Sequence, residues 1–253
     1  MKRNLEKLGS ETAKSGFQNE QDVVDKFNNW QKDKDAQAWL ITMQYNLEEI
    51  ESVEAVKISG HHKADIQIKV TIVFKSALGI ENISIKLVTT STGFNQIDKR
   101  EIDNYVELWN IPPDIEYLLK LFTGKIKPTQ TNLHDPRRML LTEMTKEEQE
   151  KIVTFFTKNK ILVLTDIIKG NDEFSADWLM VVWKQDGENP KWIIVDINFA
   201  LNFYGDGPVE ITKQGSLHIG KVGMQRKGGD GGRPSAQQLQ FKINPLALFQ
   251  KGV

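Results

Sequence analysis

Cysteine is absent from the 253 residues, which excludes a disulfide framework, a thiolate zinc site and a cysteine nucleophile. No apolar run approaches membrane-spanning length, and the start MKRNLEKLGSE has no apolar secretion segment, so a reducing cytoplasm is the expected location. Net charge is nearly absent: 33 Lys/Arg against 34 Asp/Glu leave −1, which argues against a protein that coats polyanions over its whole surface. There are no internal repeats. No Gly-Lys-Ser/Thr enters a helix, so a nucleotide-binding P-loop is excluded as well.

What remains is an ordinary globular composition, 39% hydrophobic and 26% charged, with enough chain for one full core. The charge is unevenly placed. Residues 1–60 hold eight Lys/Arg and eleven Asp/Glu, a balance of −3, and residues 206–253 hold seven against three, a balance of +4. A near-neutral protein with a basic C-terminal segment suits local contact with nucleic acid.

The stretch from Ala64 to Leu87, ADIQIKVTIVFKSALGIENISIKL, reads as two strands joined by a turn at Ala77-Leu78-Gly79. Ile66, Ile68, Val70, Ile72 and Phe74 alternate with Asp65, Gln67, Lys69, Thr71 and Val73, the period of a strand with one apolar face. Ile83, Ile85 and Leu87 alternate with Ser84, Lys86 and Val88. Where the polar faces coincide, an acid (Asp65), a hydroxyl (Ser84) and an ammonium (Lys86) converge. That is the layout of a Mg²⁺-dependent phosphodiesterase site. The same pattern suits a solvated hairpin face with a cross-strand ion pair. His61 and His62 precede Asp65, but adjacent strand residues point to opposite faces, so they do not readily ligate one ion together.

Along the rest of the chain, residues 10–30 predict a helix with Phe17, Val23, Val24, Phe27 and Trp30 inward. Ser10 is its candidate cap. Glu20 falls at the rim of that stripe, either as an exposed carboxylate or as an acid that reaches the metal site. Residues 35–50 predict a second helix and 53–59 a short strand. Thr89–Gly93 reads as a loop, with a helix from near Asn95 to Trp109. Phe94, followed by Asn95, Gln96, Asp98, Lys99 and Arg100, suits a DNA groove, the ring wedging between base steps and the polar groups meeting base edges or phosphates. It equally suits a hydrophobic staple packing on Ile97 or Tyr105. Pro112-Pro113 breaks the chain before a helix through Phe122. Lys125, Lys127, Arg137 and Arg138 make residues 123–144 a basic surface or a phosphate-tracking loop. Thr145 with Glu148 has capping-box spacing, opening a helix through Phe156. The run 161–168 fits helix or strand, and 178–183 and 192–197 predict buried strands. Finally, QRKGGDGGR at 225–233 predicts a hairpin or strand-loop that presents Gln225, Arg226, Lys227 and Arg233 to DNA, or else a mobile surface loop. The mixture of elements predicts a single α/β or mixed α+β domain over 1–253, a central mixed sheet flanked by helices. Its catalytic strands fall at about 53–89 and its DNA-reading loops at about 89–100 and 213–240.

Taken together, LGSETAKSGFQNEQDVVDKFNNW, GFNQIDK at 93–99, RRMLLTE at 137–143, LVLTDI at 162–167, QRKGGDGGR and LQFKI at 239–243 resemble the small type II restriction endonucleases of the MspI and HinP group, most closely the HinP type that recognises GCGC. The resemblance implies a divergent PD-(D/E)xK fold and a bacterial Mg²⁺-dependent enzyme that cuts double-stranded DNA. It also implies a cognate DNA methyltransferase and an enzyme that is a monomer or homodimer. By the same resemblance Asp65 matches the metal-binding acid and Lys86 the catalytic lysine, and the Ile85 carbonyl completes the metal shell. Ser84 stands where the group has Gln or Asn, and Glu20 is the candidate supporting acid. Phe94 would wedge near the site with Gln96 and Lys99 reading bases, and Lys227 with Gln225 and Arg226 would form a second reading element. A catalytically silent DNA-binding protein and a structure-specific nuclease on the same fold are the alternatives.

Overall fold

The computed structural model describes residues 18–59, 66–74, 78–90, 93–171, 175–185, 187–227 and 236–251. These residues build two units. The first draws on the described residues within 1–95, 169–200 and 244–253, and the second on those within 96–168 and 201–243. Among the described residues no helix is long and apolar enough to cross a membrane.

In the first unit the predicted alternation builds a mixed sheet. Strands β1 (Ile50–Ser59), β2 (Ile66–Phe74) and β3 (Leu78–Val88) form an antiparallel meander. The strand that follows in the chain, β4 (Asn95–Glu101), belongs to the sheet of the second unit. β5 (Trp178–Trp183) joins β3 in parallel, and β6 (Lys191–Asp196) closes the order β1-β2-β3-β5-β6. One face of this sheet presents Ile68, Val70, Ile72, Ile83, Ile85, Met180, Val182 and Ile194 to two helices. Helix α1 (18–28 among the described residues) contributes Val23, Val24 and Phe27, and α2 (Lys34–Thr42) contributes Ala36, Trp39 and Leu40. The predicted inward stripe of α1 is therefore observed, with Trp30 in the same core; Ser10 and Phe17 lie outside the described residues. Phe27 is fully buried and its ring lies 5.1 Å from that of Trp39, so Phe27→Ala removes about 3–5 kcal/mol of core packing.

Two boundaries differ from expectation. Helix α2 ends at Thr42 instead of running to 50, because Gln44 takes a positive φ of 69° and Tyr45 N–H bonds back to the Leu40 carbonyl. A separate 3₁₀ turn, Leu47–Glu49, follows, capped by the Asn46 side chain. Leu78 and Gly79 are not in the hairpin turn but pair with Val73 and Ile72.

In the second unit the order is β4-β10-β9-β8-β7, in which β4 is joined by β7 (Val209–Ile211), β8 (Leu217–Ile219), β9 (Val222–Arg226) and β10 (Gln238–Ile243). The helix expected from Asn95 is a strand as far as Glu101, and α3 occupies only Ile102–Trp109. The neighbour of β4 in the sheet, β10, lies far along the chain, where no local pattern announces it. Leu239, Phe241 and Ile243 of β10 are fully buried, with Gln238, Gln240 and Lys242 half-buried between them. Phe241 meets Tyr105 and Trp109 of α3 edge-on, with centroids at 5.5 and 5.8 Å.

α4 (Pro113–Thr123) starts with proline in its first turn and ends at Gly124, φ 82°, the common proline-in, glycine-out arrangement. The Thr145–Glu148 box opens α5 (Lys146–Lys158) as predicted. The ambiguous run 161–168 is helical: α6 (Lys160–Leu164) widens into a π-turn, Thr165–Lys169. The remaining helix, α7, covers Ile197–Gly205.

Candidate functional site

Strand alternation places the candidate catalytic groups. Because Ile83 and Ile85 enter the core under α1 and α2, Ser84 and Lys86 project from the opposite face of β3. Their register partners on β5, Leu179 and Val181, share that face and are 2% and 0% exposed. Ser84 and Lys86 are themselves 5% exposed. That overturns the solvated-hairpin reading, since a surface ion pair does not bury its lysine to this degree. Asp65, His61 and His62 lie outside the described residues. On β2, however, Gln67, two residues after Asp65, pairs with Ser84, two residues before Lys86.

Helix α1 is fixed at two points. Asp22 accepts from Lys184 Nζ at 2.7 Å, and Lys184 N–H bonds to the Val88 carbonyl, where β3 ends. Toward its C-terminal end the Asn28 amide exchanges two hydrogen bonds with the Ala55 backbone, at 3.1 and 2.7 Å. This part of α1 therefore lies beside the end of β3 that carries Lys86, although the helix covers the other face of that strand. Glu20, two residues before Asp22, is buried rather than exposed. Next to it Asn19 is 1% exposed with no hydrogen bond on either amide atom. A buried amide in that state costs about 1–3 kcal/mol. Nothing in the residue pattern singled out Asn19.

The first reading loop is tied to the same strand. Asn95 Nδ2 donates to the Leu87 carbonyl at 2.8 Å, one residue past Lys86. Phe94, immediately before it, is 62% exposed. This contradicts the staple reading and leaves the ring available to a groove.

In the second unit the predicted readers separate into two groups. Gln96 is half-buried, and its Oε1 accepts from Gln240 Nε2 at 2.6 Å. Gln240 stands directly opposite Gln225 across β9 and β10. Lys99 and Lys227 are half-buried. Asp98, by contrast, is fully buried and accepts from Tyr105 Oη at 2.9 Å, with Arg100 3.3 Å away. Arg100 forks onto Asp166 at 2.8 and 3.3 Å, and Trp109 Nε1 donates to the same carboxylate at 3.1 Å. Burial works against the Arg100 charge, but Asp98 and then Asp166 outweigh it and hold the guanidinium above its usual range. Asp98 is thus part of an internal network and does not reach a DNA surface.

Arg226 likewise faces inward. Its register partner is the fully buried Leu239, whereas Gln225 pairs with Gln240. Its Nη1 donates to the Arg138 and Met139 carbonyls at 3.2 and 3.1 Å, and Arg138 Nη1 returns a bond to the Lys227 carbonyl at 2.8 Å. Asp135 gathers Arg137 and Arg138, and Lys125 pairs with Glu101 and Asp103. Much of the basic segment 123–144 is therefore committed to internal pairs. Arg233 lies outside the described residues.

Among the described residues no group of three His, Asp or Glu side chains could hold a metal ion. The oxygen donors expected here, the Asp65 carboxylate and the Ile85 carbonyl, are the hard type that suits Mg²⁺.

A family model described as R.HinP1I restriction endonuclease matches residues 43–249. No curated protein sequence matches the chain. Among solved structures, the restriction endonuclease MspI in complex with its cognate DNA superposes with a TM-score of 0.59. It is 12% identical, over 88% of this chain and 87% of that one.

Proposed function

We propose, for a chain that belongs to the R.HinP1I restriction endonuclease family and is a type II site-specific deoxyribonuclease, that it hydrolyses double-stranded DNA with Mg²⁺ at a short palindrome, GCGC, leaving 5′-phosphate ends. The observation that carries the catalytic assignment is the burial of Ser84 and Lys86 together on one face of β3. Lys86 orients or deprotonates the water that attacks in line, and Ser84 holds that water from the position where the family keeps an amide. Asp65 and the Ile85 carbonyl would hold the cation, which when bound supplies Lewis-acid stabilisation of charge on the scissile phosphate. Glu20, on α1, is the supporting acid. Phe94 wedges into the groove while Gln96, Lys99, Gln225 and Lys227 meet base edges and phosphates. The full chain acts as one nuclease, as a monomer or homodimer in a bacterial cytoplasm, beside a methyltransferase that protects the host's sites.

Digestion of a sequenced, unmethylated plasmid with and without Mg²⁺, followed by mapping of the ends, tests this. Discrete Mg²⁺-dependent 5′-phosphate ends at every GCGC are expected. Discrete ends elsewhere would replace the target and keep the enzyme, and tight binding without cutting would sink the catalytic assignment. In the same assay Ser84→Gln, which restores the family's amide, retains or raises the cleavage rate. Complete inactivation would show that position 84 does not face the water.

A further inference from the structure

The hydrogen bond between Gln240 and Gln96 gives Gln240 a role that neither residue type nor position in the sequence assigns. Gln240 lies on β10, with its side chain on the face opposite the fully buried Leu239 and Phe241. Its amide nitrogen donates to Gln96 Oε1 at 2.6 Å. A glutamine left to itself is an adenine reader, accepting from N6 with its oxygen and donating to N7 with its nitrogen. With its oxygen held by Gln240, Gln96 presents N–H donors outward. Guanine offers two acceptors, O6 and N7, on the major-groove edge, whereas adenine offers one acceptor and one donor. A glutamine whose nitrogen is the end turned outward therefore favours guanine over adenine.

We infer that Gln240 is a specificity-positioning residue: it fixes the polarity of the Gln96 amide and so makes Gln96 select guanine over adenine. This rests on the reading of Gln96 as a base contact in the proposed function. Gln225, opposite Gln240 on β9, continues the row of amides on this sheet face.

The test inverts the bond. In Gln240→Glu the new side chain only accepts, so Gln96 must turn its NH₂ inward and its oxygen outward. Gln240→Lys keeps a donor to Gln96 Oε1, and Gln240→Leu removes the partner. Each folded variant is given a duplex library randomised at the target positions, and both Mg²⁺-dependent cleavage and binding in Ca²⁺ are read by sequencing. At one symmetry-related pair of positions, Gln240→Glu lowers the preference for guanine over adenine on the order of tenfold to a hundredfold. Gln240→Lys retains the wild-type preference, and Gln240→Leu loses it without inversion. Adding Gln240→Glu to Gln96→Leu changes nothing further, because the effect passes through Gln96.

Unchanged guanine preference in Gln240→Glu overturns the inference. So does a uniform fall in cleavage across all sequences in the three variants. Should Gln240→Glu fail to fold, retention by Gln240→Lys with loss by Gln240→Leu supports the role, and equal behaviour of the two overturns it. A wild-type protein that binds and cuts with no base preference would sink the restriction reading itself. A selective wild type indifferent to Gln240 sinks only the inference.

Discussion

Strands β3 and β4 each carry two polar residues at i and i+2 that are almost wholly buried: Ser84 and Lys86 on the first, Asp98 and Arg100 on the second. In the sequence the two look alike, and Asp98-Lys99-Arg100 is nominally closer to a nuclease signature than Ser84-Ile85-Lys86. Their surroundings separate them. Asp98 and Arg100 belong to an internal ion network in which Asp166 takes a forked guanidinium and an indole N–H and Asp98 takes the Tyr105 hydroxyl, although Asp98 Oδ1 and Arg100 Nε make no hydrogen bond. Ser84 and Lys86 stand among Leu179 and Val181, toward the strand end near which α1 carries Glu20 and the unbonded Asn19 amide. Burial of charge alone does not mark a site. A set of opposite charges paired with one another inside the fold is frame, because each offsets the desolvation of the other.

The two pairs should therefore fail differently. Lys86→Ala is expected to lower cleavage by at least about 10²- to 10⁴-fold and to leave sequence-selective binding in Ca²⁺ intact, measured by digestion and by band shift. Loss of both together, with a lowered unfolding midpoint, would return Lys86 to the frame. Asp166→Ala is the reverse case. It removes the forked partner and leaves Asp98 alone to offset the buried Arg100 charge, which costs about 1–3 kcal/mol, read as a fall in the urea midpoint. Whatever activity the folded fraction keeps should have wild-type base preference. A variant as stable as wild type would mean that the network is not what holds β4 to α3 and the π-turn.

How far the sequence speaks follows from how far each partner lies along the chain. The β2–β3 hairpin, the inward stripe of α1 and the Thr145 cap are decided within a few residues by alternation, 3.6-residue spacing and side-chain capping, so they are legible from those residues alone. β4 is not. Its segment NQIDKRE has no strong strand propensity, and it is held extended by β10 and by Asp166, both of them distant in the chain, so local spacing favours a helix there. The same distance hides the polarity of Gln96, since only pairing with β10 brings Gln240 to it. Arg226 shows a finer limit. QRK was readable as a reader strand, but which of three consecutive residues face outward depends on a register one residue wide, and the register places Gln225 opposite Gln240 and Arg226 opposite Leu239.

That register makes a last and smaller distinction, between two adjacent cations. If Arg226 gripped a phosphate, its removal would lower the slope of log affinity against log salt by about one. Its guanidinium instead holds the Arg138 and Met139 carbonyls and lies 5.9 Å over the Phe122 ring, while burial and then the nearby Arg138 pull it below the usual guanidinium range. Arg226→Ala should therefore cost about 1–3 kcal/mol of stability, as buried carbonyls lose a charged donor, and should leave the salt slope unchanged. Lys227→Ala, one residue on, should lower the slope by about one with little change in stability. Binding titrations at several salt concentrations, run beside denaturant curves for both variants, would show whether the inward arginine and its neighbour divide the work in this way. Identical salt slopes for the two would put Lys227 with the frame, and a reduced slope for Arg226→Ala would put that arginine on the DNA.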